Sequence, residues 1–194
     1  MNIEKSILSE IYKGMSFSCE EALFIESKLE KLELKKGATL LKNGETVLHQ
    51  YYVYNGCVRT YFMDRSGKEH TLQFAVNDWW ISDYTGFFSS TKAIMNIEII
   101  QDATLYKISR KDTEALFCEI PRLETFFRKK MEGAFASFQQ RILASLATSA
   151  KERYVSFIGL YPQIEQRVKN YHIASYLGIT TESLSRIRKE LTQE

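Results

Sequence analysis

Apolar residues recur at three- and four-residue steps along one stretch of the chain: Leu123, Phe127, Met131, Ala134, Phe138, Ile142 and Leu146. That spacing puts them on one stripe of a helix. With Pro121 in its first turn, the pattern predicts a long helix running to about Thr148. A second amphipathic helix, with Tyr154, Val155, Ile158 and Leu160, ends before Pro162. Nearer the start, Ser18-Cys19-Glu20-Glu21 reads as a capping box opening a helix with Leu23, Phe24 and Leu29, ending near Leu32. From Lys35 to Arg110 the texture changes to short β-rich runs punctuated by Lys36-Gly37, Asn43-Gly44, Asn55-Gly56 and Ser66-Gly67. Asn55-Gly56 stands between Tyr51–Tyr54 and Cys57–Phe62, which predicts a two-residue hairpin there. Many short strands at this spacing predict an antiparallel jelly roll or barrel, and the chain as a whole an α+β fold.

The last stretch carries the sharpest pattern. Ile173 and Leu177 share one face of a helix, with Ala174 small enough for a second helix to pack on it. Gly178 follows, able to adopt the positive φ that ends a helix. Thr180 is a good N-cap, and Leu184, Ile187 and Leu191 recur at helical spacing after it. This is the pattern of a helix-turn-helix, which places its second helix in the major groove of DNA. The other face of that helix carries Thr181, Glu182, Ser185, Arg186, Arg188 and Lys189. Arg186 can fork onto a guanine and Glu182 can accept from a cytosine amino group. Arg188 and Lys189 are expected to contact phosphates. A plain pair of amphipathic helices explains the Gly alone, but not the cap, the small residue and the basic face together.

Composition narrows the picture. The chain has 194 residues and a formal net charge of +2, so DNA binding must rest on a local patch. Cys19, Cys57 and Cys118 are far apart and lack metal-ligand spacing, as expected of reduced thiols in a cytoplasmic protein. Residues Met1 to Met15 show no signal-peptide core, and no apolar run approaches a membrane span of about 20 residues. No metal and no cofactor is expected.

A Gly-punctuated β-roll, then a long helix, then a C-terminal helix-turn-helix resembles the CRP/FNR family of bacterial transcription regulators over nearly the whole chain. The segments that carry the likeness are Lys36-Gly37 with Asn43-Gly44-Glu45, Tyr54-Asn55-Gly56-Cys57-Val58-Arg59, and Ile173 to Ile187. The resemblance implies three parts: residues 1–120 as N-terminal helices and a cyclic-nucleotide-binding-like β-roll, 121–148 as a dimerisation helix, and 149–194 as the DNA-binding domain. It also implies a homodimer on a palindromic double-stranded operator, contact with RNA polymerase, and Thr181, Glu182 and Arg186 as base contacts.

Departures from the family pattern are informative. Cyclic-nucleotide binders of the family carry Gly-Glu for the sugar and an arginine for the phosphate. Here Ile81-Ser82 stands in place of Gly-Glu, and Lys92 to Asn96 lacks the arginine. Asp78 and Asp83 would further repel a phosphate. No response to cyclic AMP is therefore expected. Trp79, Trp80, Tyr84 and Met95, with Phe87 and Phe88 nearby, form a candidate effector pocket or a core that fills the old one, and filling is the preferred reading. Adjacent strand residues face opposite ways, so at most one of the two tryptophans points inward. An iron–sulfur site would need clustered N-terminal cysteines, where only Cys19 stands, and a haem site would have to use His49 or His70. The chain stops at Glu194, where the family continues into a wing, so a shallow salt dependence is expected.

Three function classes follow. The first is a sequence-specific DNA-binding regulator. The second is a small-molecule-sensing β-roll acting through protein contacts, with weak or no DNA binding. The third, a cupin-like enzyme, needs a His/Glu cluster that His49 and His70 do not make, so no enzymatic activity is expected. The effector, the operator and the sign of regulation are not encoded in any motif.

Overall fold

The computed structural model describes residues 7–193. The elements in order are α1 (Ile7–Ile11), α2 (Cys19–Lys28), β1 (Glu30–Leu34), β2 (Thr39–Leu41), β3 (His49–Met63), β4 (Glu69–Ala75), β5 (Trp79–Ile81), α3 (Tyr84–Ser89), β6 (Asn96–Ser109), α4 (Arg110–Glu119), α5 (Arg122–Ala147), α6 (Ala150–Leu160), α7 (Pro162–Arg167), α8 (Asn170–Leu177) and α9 (Thr181–Thr192). The first part of the N-terminal stretch expected to lack a signal core, Met1–Ser6, and the terminal Glu194 lie outside the described residues.

Two compact units result. One takes the chain up to Thr60 and from Ala75 to Lys130; the other combines Tyr61–Phe74 with the residues from Met131 onward. The division falls inside α5.

In the first unit the strands pair in the order β1-β6-β3, with β2 on β6 and β5 on β3. The β1–β6 pair is antiparallel, with Glu30 opposite Lys107 and Leu34 opposite Ala103. Alternation along the strands feeds two cores. Val53, Val58, Ile81, Ile97, Ile99 and Leu105 fill the inside of the roll, with Trp79 packed against them. Tyr52 and Trp80, their neighbours in sequence, point the other way. They join Tyr12, Ile25, Leu116, Leu123 and Phe127 in a second core formed with the helices.

The expected hairpin at Asn55-Gly56 does not form. β3 runs unbroken from His49 to Met63. Gly56 has φ +107, and a Cβ there would lie 2.6 Å from the Asp102 carbonyl oxygen and 2.7 Å from the Ala103 Cα. The glycine thus serves the close approach of two strands rather than a turn. Asp64–Lys68 makes the real turn, with Gly67 N–H donating to the Asp64 carbonyl and Asp64 N–H to that of Lys68, both at 3.0 Å.

Helix starts follow local chemistry. Ser18 and Glu21 exchange reciprocal hydrogen bonds at the head of α2, as the sequence predicts. Ser149 and Glu152 repeat the device at α6. Pro162 does not simply end α6; it opens the short α7. Along α5, Leu123 and Phe127 are buried in the second core of the first unit. Farther on, Phe135, Phe138, Ile142, Leu143 and Leu146 are all exposed, Leu146 by 79%.

Candidate nucleic-acid interface and effector cradle

The candidate reading head is built from α8 and α9. Ile173, Ala174 and Leu177 of α8 and Leu184 and Ile187 of α9 are buried. Gly178 ends α8 with φ +68, and its N–H reaches the carbonyls of Ala174 and Ser175. Thr180 Oγ1 then accepts the Ser183 N–H at 3.2 Å and caps α9. These observations match the turn chemistry expected of Gly178 and Thr180.

Around the free face of α9, Glu182, Ser185, Arg186 and Lys189 are exposed, and Thr181 is half-buried. Thr181 Oγ1 donates to Glu182 Oε1 at 3.1 Å. The Glu182 carboxyl is held below its ordinary pKa, first by its own backbone N–H and then by the Thr180 and Thr181 hydroxyls. It stays ionised and acceptor-only at neutral pH, the state a base amino group requires.

Arg188 is placed differently from the phosphate contact expected of it. Its Nε donates to Tyr154 Oη at 2.9 Å, Nη1 to Asn170 Oδ1 at 2.6 Å and Nη2 to Glu165 Oε1 at 2.8 Å. Tyr154 Oη in turn donates to Glu165 Oε1 at 3.0 Å. Arg188 therefore pins α9 to α6, α7 and the start of α8, because its side of the helix faces those elements. Three of its five N–H groups are engaged inside the unit.

The cradle in the β-roll is closed by the chain itself. Asp83 is the N-cap of α3 and is fully buried. Its Oδ2 accepts the backbone N–H groups of Ile94 and Met95 at 2.7 and 3.0 Å, and its Oδ1 accepts Gly86 N–H at 3.2 Å. These donors from the α3 turn and from the loop before β6 converge on one carboxylate. Asp83 thus engages three backbone N–H groups of the kind that bind anions. Arg110 braces the same segment, donating from Nη1 to the carbonyls of Phe87 and Phe88 and to Ser90 Oγ.

Asp78, read with Asp83 as a repelling charge, faces elsewhere. It has φ +71, accepts from Tyr52 Oη at 3.3 Å and pairs with Lys13 at 2.8 Å. Ile81 and Ser82 are both buried in the fold, and Ser82 Oγ donates to the His49 carbonyl at 2.8 Å. Lys92 is exposed.

Of the candidate effector residues, the two tryptophans face different cores. Trp79 packs with the inner core and Trp80 with the outer one, against Phe127 at a ring distance of 5.0 Å. Tyr84 packs on the inner core, stacks on Phe88 at 5.2 Å and buries its hydroxyl without a hydrogen-bond partner. Met95 contributes its backbone N–H to Asp83. A cavity of about 530 Å³ lies elsewhere in the unit, between Val47, Leu48 and His49 on one side and Ser109, Arg110 and Glu114 on the other.

Cys19 and Cys118 are exposed and Cys57 is buried, all as free thiols. Burial lowers the His49 pKa, and His70 bonds Asp64 at 2.8 Å. Among the described residues no cluster of three or more His, Cys, Asp or Glu is arranged to hold a metal, and no helix is long and apolar enough to cross a membrane.

An antiparallel roll, followed by a long helix and a capped helix-turn-helix, defines the class of fold. Residues 31–119 match the cyclic nucleotide-binding domain family. The chain is 25% identical over 170 residues to the fumarate and nitrate reduction regulatory protein of Escherichia coli (strain K12). It is also 25% identical over 174 residues to an anaerobic regulatory protein of Aggregatibacter actinomycetemcomitans. These alignments cover 81% of this chain but only 66% and 65% of the relatives, just under two thirds of their length. Its fold is that of the c-di-GMP responsive global regulator CLP of Xanthomonas campestris, with a TM-score of 0.73 and 14% identity over 91% of this chain and 92% of that one. FixK2 from Bradyrhizobium japonicum gives the same score at 19% identity, with 85% of each chain covered. The chain is thus similar in sequence and in fold to regulators of the CRP/FNR type.

Proposed function

We propose that this chain is a sequence-specific DNA-binding transcription regulator that works as a homodimer and does not respond to cyclic nucleotides. The observation that carries the reading is α9: a helix capped by Thr180, anchored by Leu184 and Ile187, and presenting Glu182, Ser185, Arg186 and Lys189 outward. Exposed groups in the N-terminal half of such a helix reach base edges. Thr181, Glu182, Ser185 and Arg186 form the proposed base-reading set, with Lys189 on the phosphates.

The dimer rests on α5. Phe135, Phe138, Ile142 and Leu146 are exposed at three- and four-residue steps, a stripe suited to the same stripe of a second copy. Two reading helices related by a two-fold axis would meet a palindromic site. Indifference to cyclic nucleotides is supported by the buried Asp83 carboxylate, which takes the Ile94 and Met95 N–H groups that an anion in the roll could otherwise use.

The test is selection from a random DNA pool with the full chain and with Arg186→Ala. A palindromic sequence enriched by the first and lost by the second supports the reading. A chain that enriches nothing contradicts it and favours a sensor acting through protein contacts.

A further inference from the structure

The reading head does not consist of helices alone. The β-hairpin tip Tyr61–Phe74 packs into the same compact unit as α6–α9. One hydroxyl makes the join. Ser175 Oγ donates to the Glu69 carbonyl at 2.8 Å and accepts the Thr71 N–H at 2.8 Å. In the strand order β1-β6-β3-β4, strand β4 stands at the end, so its outer edge needs partners. Ser175 supplies at two points what a neighbouring strand would.

Around that hydroxyl the contact is continuous. Arg141 donates from Nη1 to the Leu72 carbonyl. Its guanidinium lies 4.6 Å from the centre of the Tyr176 ring and 5.3 Å from that of Phe138. Phe74 is buried, with its ring 5.4 Å from Tyr176 and 6.4 Å from Phe157. The turn beyond is held in shape by Asp64, whose Oδ1 accepts from Ser66 N–H, Ser66 Oγ and Lys68 N–H while Oδ2 pairs with His70.

α8 needs such support. It has only eight residues, and no side chain caps its N-terminus at Lys169. A helix that short does not persist by itself. Its Ile173, Ala174 and Leu177 are buried in the helix-turn-helix. At about 100° per residue, Ser175 lies about 200° round from Ile173, on the opposite side. The helix is thus held on one face by α9 and on the other by the hairpin.

We propose that Ser175, with Arg141 beside it, is a positioning residue for DNA reading: by fastening hairpin 61–74 to α8 it sets the orientation in which α9 is presented. The inference rests on α9 being the reading helix. It predicts that changing Ser175 alters DNA affinity without removing any DNA contact.

The experiment uses the full chain with Ser175→Ala, Ser175→Thr and Arg141→Ala. Amide hydrogen exchange is followed at Thr71 and along α8 and α9, and affinity for the selected operator is measured at several salt concentrations. Ser175→Ala should speed exchange at Thr71 and along α8, and weaken operator binding about threefold to tenfold, the range one hydrogen bond spans. The salt slope should stay unchanged, because no phosphate contact is lost. Ser175→Thr, which keeps the hydroxyl, should restore both readouts. Faster exchange at Thr71 with operator affinity within twofold of the parent overturns the proposal. If Ser175→Ala does not fold, Arg141→Ala carries the same comparison. A chain that selects no operator overturns the regulator reading instead. In that case faster exchange along α8 and α9 in Ser175→Ala still supports the positioning role, and unchanged exchange there overturns it.

Discussion

The fully buried Asp83 carboxylate accepts the Ile94 backbone N–H at 2.7 Å, across eleven residues of chain. Together with the bonds from Met95 and Gly86, this makes the carboxylate an internal brace of the roll. Asp83→Ala should lower stability by about 2–4 kcal/mol. Each buried donor left unsatisfied costs about 1–3 kcal/mol, and water entering the vacated space recovers part. Urea unfolding measures the loss. Calorimetry of the parent chain with cyclic AMP should show no binding, and micromolar affinity would contradict the brace.

Arg188 and Lys189 are neighbours with opposite expected effects. Arg188→Ala removes bonds to Tyr154, Asn170 and Glu165 and leaves a half-buried Glu165 without its cation. A loss of about 1–3 kcal/mol in unfolding free energy is expected. Lys189→Ala should leave stability unchanged and reduce the salt slope of operator binding by about 1. Paired unfolding and salt-titration curves separate the two.

The exposed stripe of α5 makes a further prediction. Phe138→Glu with Ile142→Glu places charges in the proposed seam, where both residues are 44–46% exposed in the single chain. Light scattering should report a dimer for the parent chain at micromolar concentration and a monomer for the double variant, with helical circular dichroism retained. A parent chain that is already monomeric removes the seam.

Glu21 predicts a pH dependence. The Arg122 guanidinium, 2.6 Å away, and the Ser18 N–H hold its carboxyl down at about 2. Unfolded, a glutamate titrates near 4.3. Because the folded value is the lower, the stabilisation is complete above about pH 4.3 and is lost as pH falls toward about 2. The gap in urea midpoint between the parent and Glu21→Gln should therefore be constant above about pH 5 and close as pH approaches 2. A gap that persists at low pH would show that the Arg122 contact does not act through the charge of Glu21.

Features governed by neighbours within four or five residues were legible in the chain. Ser18 with Glu21, Gly178 at the end of α8 and Thr180 at the head of α9 all act on backbone groups one turn away, so composition and spacing specify them. The order of roll, long helix and helix-turn-helix was legible for the same reason, since periodicity is local. Tertiary structure decided what depended on distant partners. Gly56 carries a hairpin signature, but Asp102 and Ala103, more than forty residues away, make it a strand crossing. Arg188 sits in a basic run, but Tyr154, Asn170 and Glu165 claim its donors. Asp83 is a charge of unknown use until Ile94 and Met95 bring their N–H groups to it, and Ser175 is one helical serine among others until β4 offers it an edge. A hydrogen bond needs two groups at one place, and for these residues only the closed chain supplies the second.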